Sequence, residues 1–98
     1  MLVALVDFTV DPEKREDALA YLLEEAGTVL SLAGCKTFRP YADPADNTHV
    51  GIVHEWRSEE DFAAYLASDG FARSGAVLRP MMTSAPSSRR YAATPLET

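Results

Sequence analysis

An α+β fold on the ferredoxin-like plan, β-α-β-β-α-β, is what this sequence predicts: an antiparallel sheet with its helices on one face. Two observations carry that expectation. Three apolar runs, "LVALVDFTV" (2–10), "CKTFRPYA" (35–42) and "THVGIVHEW" (48–56), read as strands. A helix-patterned segment follows the first and another follows the third, while a mere turn, "DPADN" (43–47), parts the second from the third. The second observation is that the first and third strands are apolar on both faces, Val3 and Leu5 opposing Ala4, Val6 and Phe8, and Val50 and Ile52 opposing Val53. Helices cover one face of such a sheet, so a second copy is expected on the other.

Each element has its own reason. The first strand is rich in Val, Leu and Phe, the composition of a strand buried on both faces. Asp11 is a good N-cap, Pro12 suits the first helical position, and Glu13, Glu16 and Asp17 favour the positive end of the helix dipole. Leu19, Leu22, Leu23, Ala26, Leu30 and Ala33 then fall on one helical stripe. Gly27 weakens its middle, and Gly34 is its stop. Pro40 marks an edge or end of the second strand, and "DPADN" has turn chemistry. Ser58 with Asp61 resembles a capping box, from which "EEDFAAYLAS" continues as a helix with Phe62, Tyr65 and Leu66 on one side and Gly70 at its end. "FARSGAVLRPMM" (71–82) reads as a short irregular helix stopped near Pro80, and "SSRRYAAT" (87–94) as a weak fourth strand. The last few residues read as a tail.

Length and composition narrow the function. The 98 residues suit one domain over 1–98, with a core at about 2–95 and a short C-terminal tail, and 47% hydrophobic content argues against disorder. A net charge of −6 lacks the electrostatic footprint of a nucleic-acid binder and is repelled by anionic membrane surfaces. No run approaches the roughly 20 apolar residues of a membrane span. "MLVALVDFTV" has no basic flank and meets Asp7 too early for a signal sequence. One cysteine, Cys35, allows neither an internal disulfide nor a thiolate metal site, and a reducing, cytoplasmic setting is expected.

Phosphate loops, HExxH and CxxC are missing from the chain. His49 and His54 lie five apart on a strand and point to opposite faces, so no shared metal is expected. Cys35 has no base placed beside it by sequence and reads as a small buried side chain. Trp56 shares a strand face with Val50, Ile52 and His54, and Tyr65 follows about two turns into the next helix. If that helix folds back over the sheet, Trp56, His54 and Tyr65 meet beneath it, as ordinary core or as the wall of a pocket. Asp7 is more unusual, because a carboxylate inside an apolar strand is costly unless paired or used. Either it pairs with Lys36, Arg39, Arg89 or Arg90, or it sits in an apolar cavity and accepts a proton.

The stretches "VDFTVDPEKREDALAYLLEEAG", "GCKTFRP" and "HEWRSEEDFAAYLASDGF", in this order, resemble the antibiotic biosynthesis monooxygenase (ABM) domain family, over roughly residues 2–95. The resemblance implies a homodimeric α+β barrel with a pocket in each protomer between sheet and helices. It also implies oxygenation of electron-rich aromatics, such as anthrone-type polyketides and quinols, by O₂ without flavin or metal, hence no cofactor. Some relatives degrade haem, but no histidine follows Trp56 in the helical segment here. By position, Trp56 matches the family's tryptophan at the end of the third strand. Asp7 stands where some relatives carry a functional asparagine, and Tyr65 where many carry histidine. The expected catalytic set is therefore Asp7, His54, Trp56 and Tyr65, and a small aromatic substrate would be bound by Ile52, Phe71 and either Arg73 or Arg79. In this scheme Asp7 or His54 assists deprotonation, Trp56 and Phe71 stack on the rings, and Tyr65 with an arginine binds oxygens. Two other readings suit the same residues: a non-catalytic dimeric module that binds a small aromatic ligand, and a cyclase or isomerase on the same barrel.

Overall fold

The computed structural model describes residues 1–97. The elements are β1 (Leu2–Thr9), α1 (Arg15–Leu30), β2 (Cys35–Ala42), β3 (His49–Trp56), α2 (Glu59–Leu66), α3 (Asp69–Leu78) and β4 (Ser87–Ala92), with 3₁₀ turns at Pro12–Lys14 and Arg79–Met81. The strands form one sheet in the order β2-β3-β1-β4, antiparallel throughout. This is the ferredoxin-like α+β arrangement. The end of the tail at Thr98 lies outside the described residues.

Register decides which side chains meet the helices. β1 and β3 pair Leu2 with Trp56, Ala4 with His54, Val6 with Ile52 and Phe8 with Val50. Successive side chains alternate between faces, so these even positions share one face. That inner face carries most of the core, with Leu2, Ala4, Phe8, Val50, Ile52, His54 and Trp56 all buried. α1 closes it by burying Ala18, Leu22 and Val29, and α2 by burying Phe62 and Tyr65. On the outer face Val3, Leu5 and Val53 are half-buried, while Tyr41 and Tyr91 are exposed. β4 is exposed along its whole length.

Three expectations about the helices are corrected. Asp11 is extended but its side chain caps nothing, and the turn after Pro12 is 3₁₀, so the α-helix proper begins at Arg15. The apolar stripe is narrower than the sequence suggests, since Leu23 and Leu30 stay exposed. The helix after Ser58 does not run to Gly70. The Ser68 hydroxyl donates to the Tyr65 carbonyl at 2.6 Å and accepts from the Phe71 amide at 3.2 Å. It thereby closes α2 and caps α3, leaving Gly70 in the first turn of α3. Ser58 does cap α2, accepting from the Asp61 amide at 3.2 Å.

Gly34 is the one residue with positive φ, +80°, among those described. A Cβ there would overlap the Asp61 carboxylate. Its carbonyl accepts from the Arg57 amide at 2.7 Å, tying the entry to β2 to the exit from β3. No helix among the described residues is long and apolar enough to cross a membrane.

Candidate functional site

A cavity of about 230 Å³ lies between the inner face and the helices α2 and α3. Its position follows from the register. Phe38 pairs with His54, His54 with Ala4, and Ala4 with Arg90, so these four form one row across the inner face. The small side chain of Ala4 leaves space between His54 and Arg90. Above that row, Phe62 and Tyr65 of α2 and Phe71 of α3 supply an aromatic wall.

Trp56 sets the chemistry of this space from behind. It is fully buried and does not reach the cavity. Tyr65 stacks on it with ring centroids 5.1 Å apart and planes 25° apart. The Trp56 indole N–H donates to His54 Nδ1 at 3.3 Å. An indole nitrogen is a donor only, so Nδ1 is the acceptor and the neutral imidazole carries its proton on Nε2. Burial lowers the His54 pKa to about 4, because the charged ring would lose its hydration. Burial also pushes Tyr65 up to about 12. At neutral pH both are uncharged. His54 Nε2 and the Tyr65 hydroxyl make no hydrogen bond among the described residues, and neither is sealed from the cavity. They are two neutral donors in an aromatic surround, which can serve an oxygen that gains negative charge.

Two cations stand at the rim. Arg79 extends from the end of α3, and Arg90 projects from β4 with its guanidinium carbon 5.0 Å from the centre of the Phe62 ring. No carboxylate lines the cavity.

Of the expected site residues, the structure brings Ile52, His54, Tyr65, Phe71 and Arg79 to the cavity. Trp56 lies one layer behind it. Phe62 and Leu66, on the same side of their helix as Tyr65 but not among the expected site residues, line it as well. Arg73 is exposed and away from it. Of the two readings of Asp7 the structure bears out the paired one and corrects the catalytic one: its odd position places it on the outer face, where Oδ1 meets His49 Nε2 at 2.7 Å and Oδ2 meets Arg89 at 3.5 Å. The charge is paired, and it is remote from the cavity. Arg90 was missed as a site residue, because only its pairing with Ala4 shows that it faces inward. Cys35 is half-buried, and burial pushes its thiol up, which disfavours the nucleophilic thiolate. Among the described residues no three His, Cys, Asp or Glu side chains gather so as to hold a metal ion.

The family model for antibiotic biosynthesis monooxygenases (ABM) matches residues 1–76. A Deinococcus radiodurans protein, provisionally described as an antibiotic biosynthesis monooxygenase, superimposes with TM-score 0.91 at 17% identity over 100% of this chain and 97% of its own. One from Nitrosomonas europaea, provisionally described in the same way, gives TM-score 0.88 at 16% identity over 95% and 98%. Rv0793 from Mycobacterium tuberculosis gives 0.87 at 14% over 99% and 98%. At such identities these likenesses establish the fold alone. No curated protein matches the chain. On the match across residues 1–76, the chain belongs to the antibiotic biosynthesis monooxygenase family.

Proposed function

We propose that this protein is a monooxygenase that oxidises a phenol, quinol or anthrone-type aromatic with O₂, the substrate itself supplying the electrons and no cofactor being required. The observation that carries this reading is the pair of neutral donors, His54 Nε2–H and Tyr65 O–H, lining a cavity walled by aromatic rings. Such a site favours the substrate as its oxyanion. Phe62 and Phe71 flank the ring, while His54 and Tyr65 hold the oxygen as charge develops. His54 is not the base, because its proton sits on Nε2 and Trp56 occupies Nδ1. Asp7 is not the base either, being on the other sheet face. The substrate proton passes to water, made easier by the donors and by the rim arginines. The anion then gives an electron to O₂, the two radicals combine at carbon as a peroxide anion, that anion takes back from water the proton the substrate lost, and loss of water from the resulting hydroperoxide leaves one oxygen atom in the product.

The test is O₂ uptake by metal-stripped protein offered hydroquinone and anthrone panels. Uptake above background is expected, falling by about 10²-fold in Tyr65→Phe, the usual scale for losing one such donor. No uptake across the panels would overturn the proposal.

One observation favours a second reading, a non-catalytic module that binds a small aromatic ligand: no residue lining the cavity is placed to take a proton. A ligand that raises Tm and is recovered unchanged would support it. The same observation weighs against a cyclase or isomerase, which must move a proton at the ligand.

The working unit is proposed to be a homodimer, packed through the outer sheet face. Val3, Leu5 and Val53 are partly covered within the chain, and Tyr41 and Tyr91 are exposed beside them.

A further inference from the structure

We infer that the ligand of this cavity is a small aromatic acid: one or two fused rings carrying a hydroxyl at the inner end and a carboxylate at the rim, the carboxylate held by Arg79 and Arg90. The inference rests on the cavity being a ligand site, as proposed above, and narrows what enters it.

Charge is the first argument. The chain has 15 acidic against 9 basic residues, yet among the described residues only Arg57 and Arg89 of the Lys and Arg side chains are ion-paired, so what sets a cation apart here is where it stands. The ion pairs among the described residues engage His49, Arg57 and Arg89. Arg79 and Arg90 take part in none, yet both reach the cavity, and no acid lines it. Arg90 is held in place rather than neutralised: its Nε donates to Ser88 Oγ at 3.2 Å and its guanidinium lies over Phe62. Two guanidiniums at the mouth of an apolar hollow suit an anion that brings its own oxygens.

Geometry is the second argument. His54 and Arg90 both pair with Ala4, one on each side. Their Cα atoms are therefore two strand spacings apart, about 10 Å. The Arg90 guanidinium carbon lies 5.0 Å from the Phe62 ring centre and the His54 ring 6.1 Å from that same centre, so the deep donor and the rim cation suit a hydroxyl and a carboxylate at opposite ends of one or two rings. The cavity of about 230 Å³ falls below the roughly 300–1,000 Å³ typical of larger ligands, which disfavours extended polycyclic frameworks.

Matched probes test this. Hydroquinone is compared with 2,5-dihydroxybenzoate, and 2-naphthol with 6-hydroxy-2-naphthoate, by calorimetry against the full chain. The acid of each pair is expected to bind about 10-fold tighter or better. That advantage should shrink to within about 2-fold in Arg79→Gln/Arg90→Gln and persist in Arg73→Gln, whose side chain is exposed and off the cavity. Unfolding of the double variant is followed alongside, and Arg90→Lys, which keeps charge without the fork, should retain part of the advantage. Equal affinity for acid and neutral probes, an advantage undiminished in the double variant, or no binding by any probe overturns the inference. Oxygen uptake on the hydroquinone pair separates the two claims. Acid preference without uptake removes the oxygenase and leaves the anion site, whereas equal uptake and binding on both members does the reverse.

Discussion

His54 is the residue on which the site's electrostatics turn, and its burial makes a pH prediction with a definite sign. Its folded pKa of about 4 lies below the unfolded value of about 6.5. Between those values the unfolded chain holds more protons, so stability falls as the pH drops from about 6.5 toward 4. The full effect is roughly 3 kcal/mol. His54→Gln removes the titration while its amide oxygen can still accept from the Trp56 indole. Denaturant unfolding between pH 4 and 7 should therefore show a clearly shallower pH slope in the variant, and identical slopes would sink the assignment. How far such a residue could be recognised from sequence depended on parity. Trp56, His54 and Ile52 lie at alternate positions and were correctly grouped on one face. Asp7 belongs to the other face, but β1 is apolar on both sides, so nothing in its own sequence said which side the helices cover. The pairing of Ala4 with His54 settles that.

At the scale of elements, two glycines make opposite predictions. Gly34 sits at φ +80° with the Asp61 carboxylate where a Cβ would go. Gly34→Ala is expected to cost at least about 1–2 kcal/mol, from the left-handed backbone alone. Gly27 lies inside α1 with nothing within 4 Å of a built Cβ, so Gly27→Ala should stabilise by roughly 0.5–1 kcal/mol. For a chain of this size each kcal/mol moves Tm by about 4–8 °C, which scanning calorimetry resolves. A stabilised Gly34→Ala, or a destabilised Gly27→Ala, would contradict the local geometry. Gly34 reads from the sequence as the stop of α1, but the helix ends at Leu30 with Ser31 as its C-cap, and Gly34 instead turns the chain into β2. The break between α2 and α3 was legible only approximately, at Gly70 where the structure has Ser68. "AAYLASDGFARSG" keeps helix-forming residues on both sides of Ser68, and a serine there is equally compatible with a helix surface. It becomes a boundary because the Ser68 side chain bonds both ways, to Tyr65 and to Phe71. That turn lets α3 bring Phe71, expected at the site from the sequence, over the cavity. Arg90 was hidden for a related reason: β4 is weakly patterned, and its inward side chains are identified only through pairing with β1.

For the whole molecule the open question is what covers the outer sheet face. Four strands of about eight residues span roughly 500 Å² in projection, of the same order as the ~800 Å² each partner buries in a standard interface. The apolar residues there, Val3, Leu5 and Val53, sit among polar ones that are already matched, such as Asp7 with His49 and Arg89. A second copy can therefore cover the face without stranding the Asp7 charge. The wild type is expected to sediment at twice its 10.7 kDa chain mass. Val53 pairs with Leu5 on β1 and with Arg39 on β2, and Leu5 in turn pairs with Arg89. In a folded single chain, Glu at position 53 lies within reach of either arginine and of water. In a dimer it must be desolvated at the centre of the face, and two-fold symmetry doubles the cost. Val53→Glu is thus expected to give a folded 10.7 kDa monomer, with helix and sheet signals unchanged by circular dichroism. Since the cavity lies on the other face, probe binding at saturating concentration should survive the change. A monomeric wild type, or a Val53→Glu dimer as tight as the parent, would mean that the outer face is not the interface and that its half-covered valines and leucine simply face water.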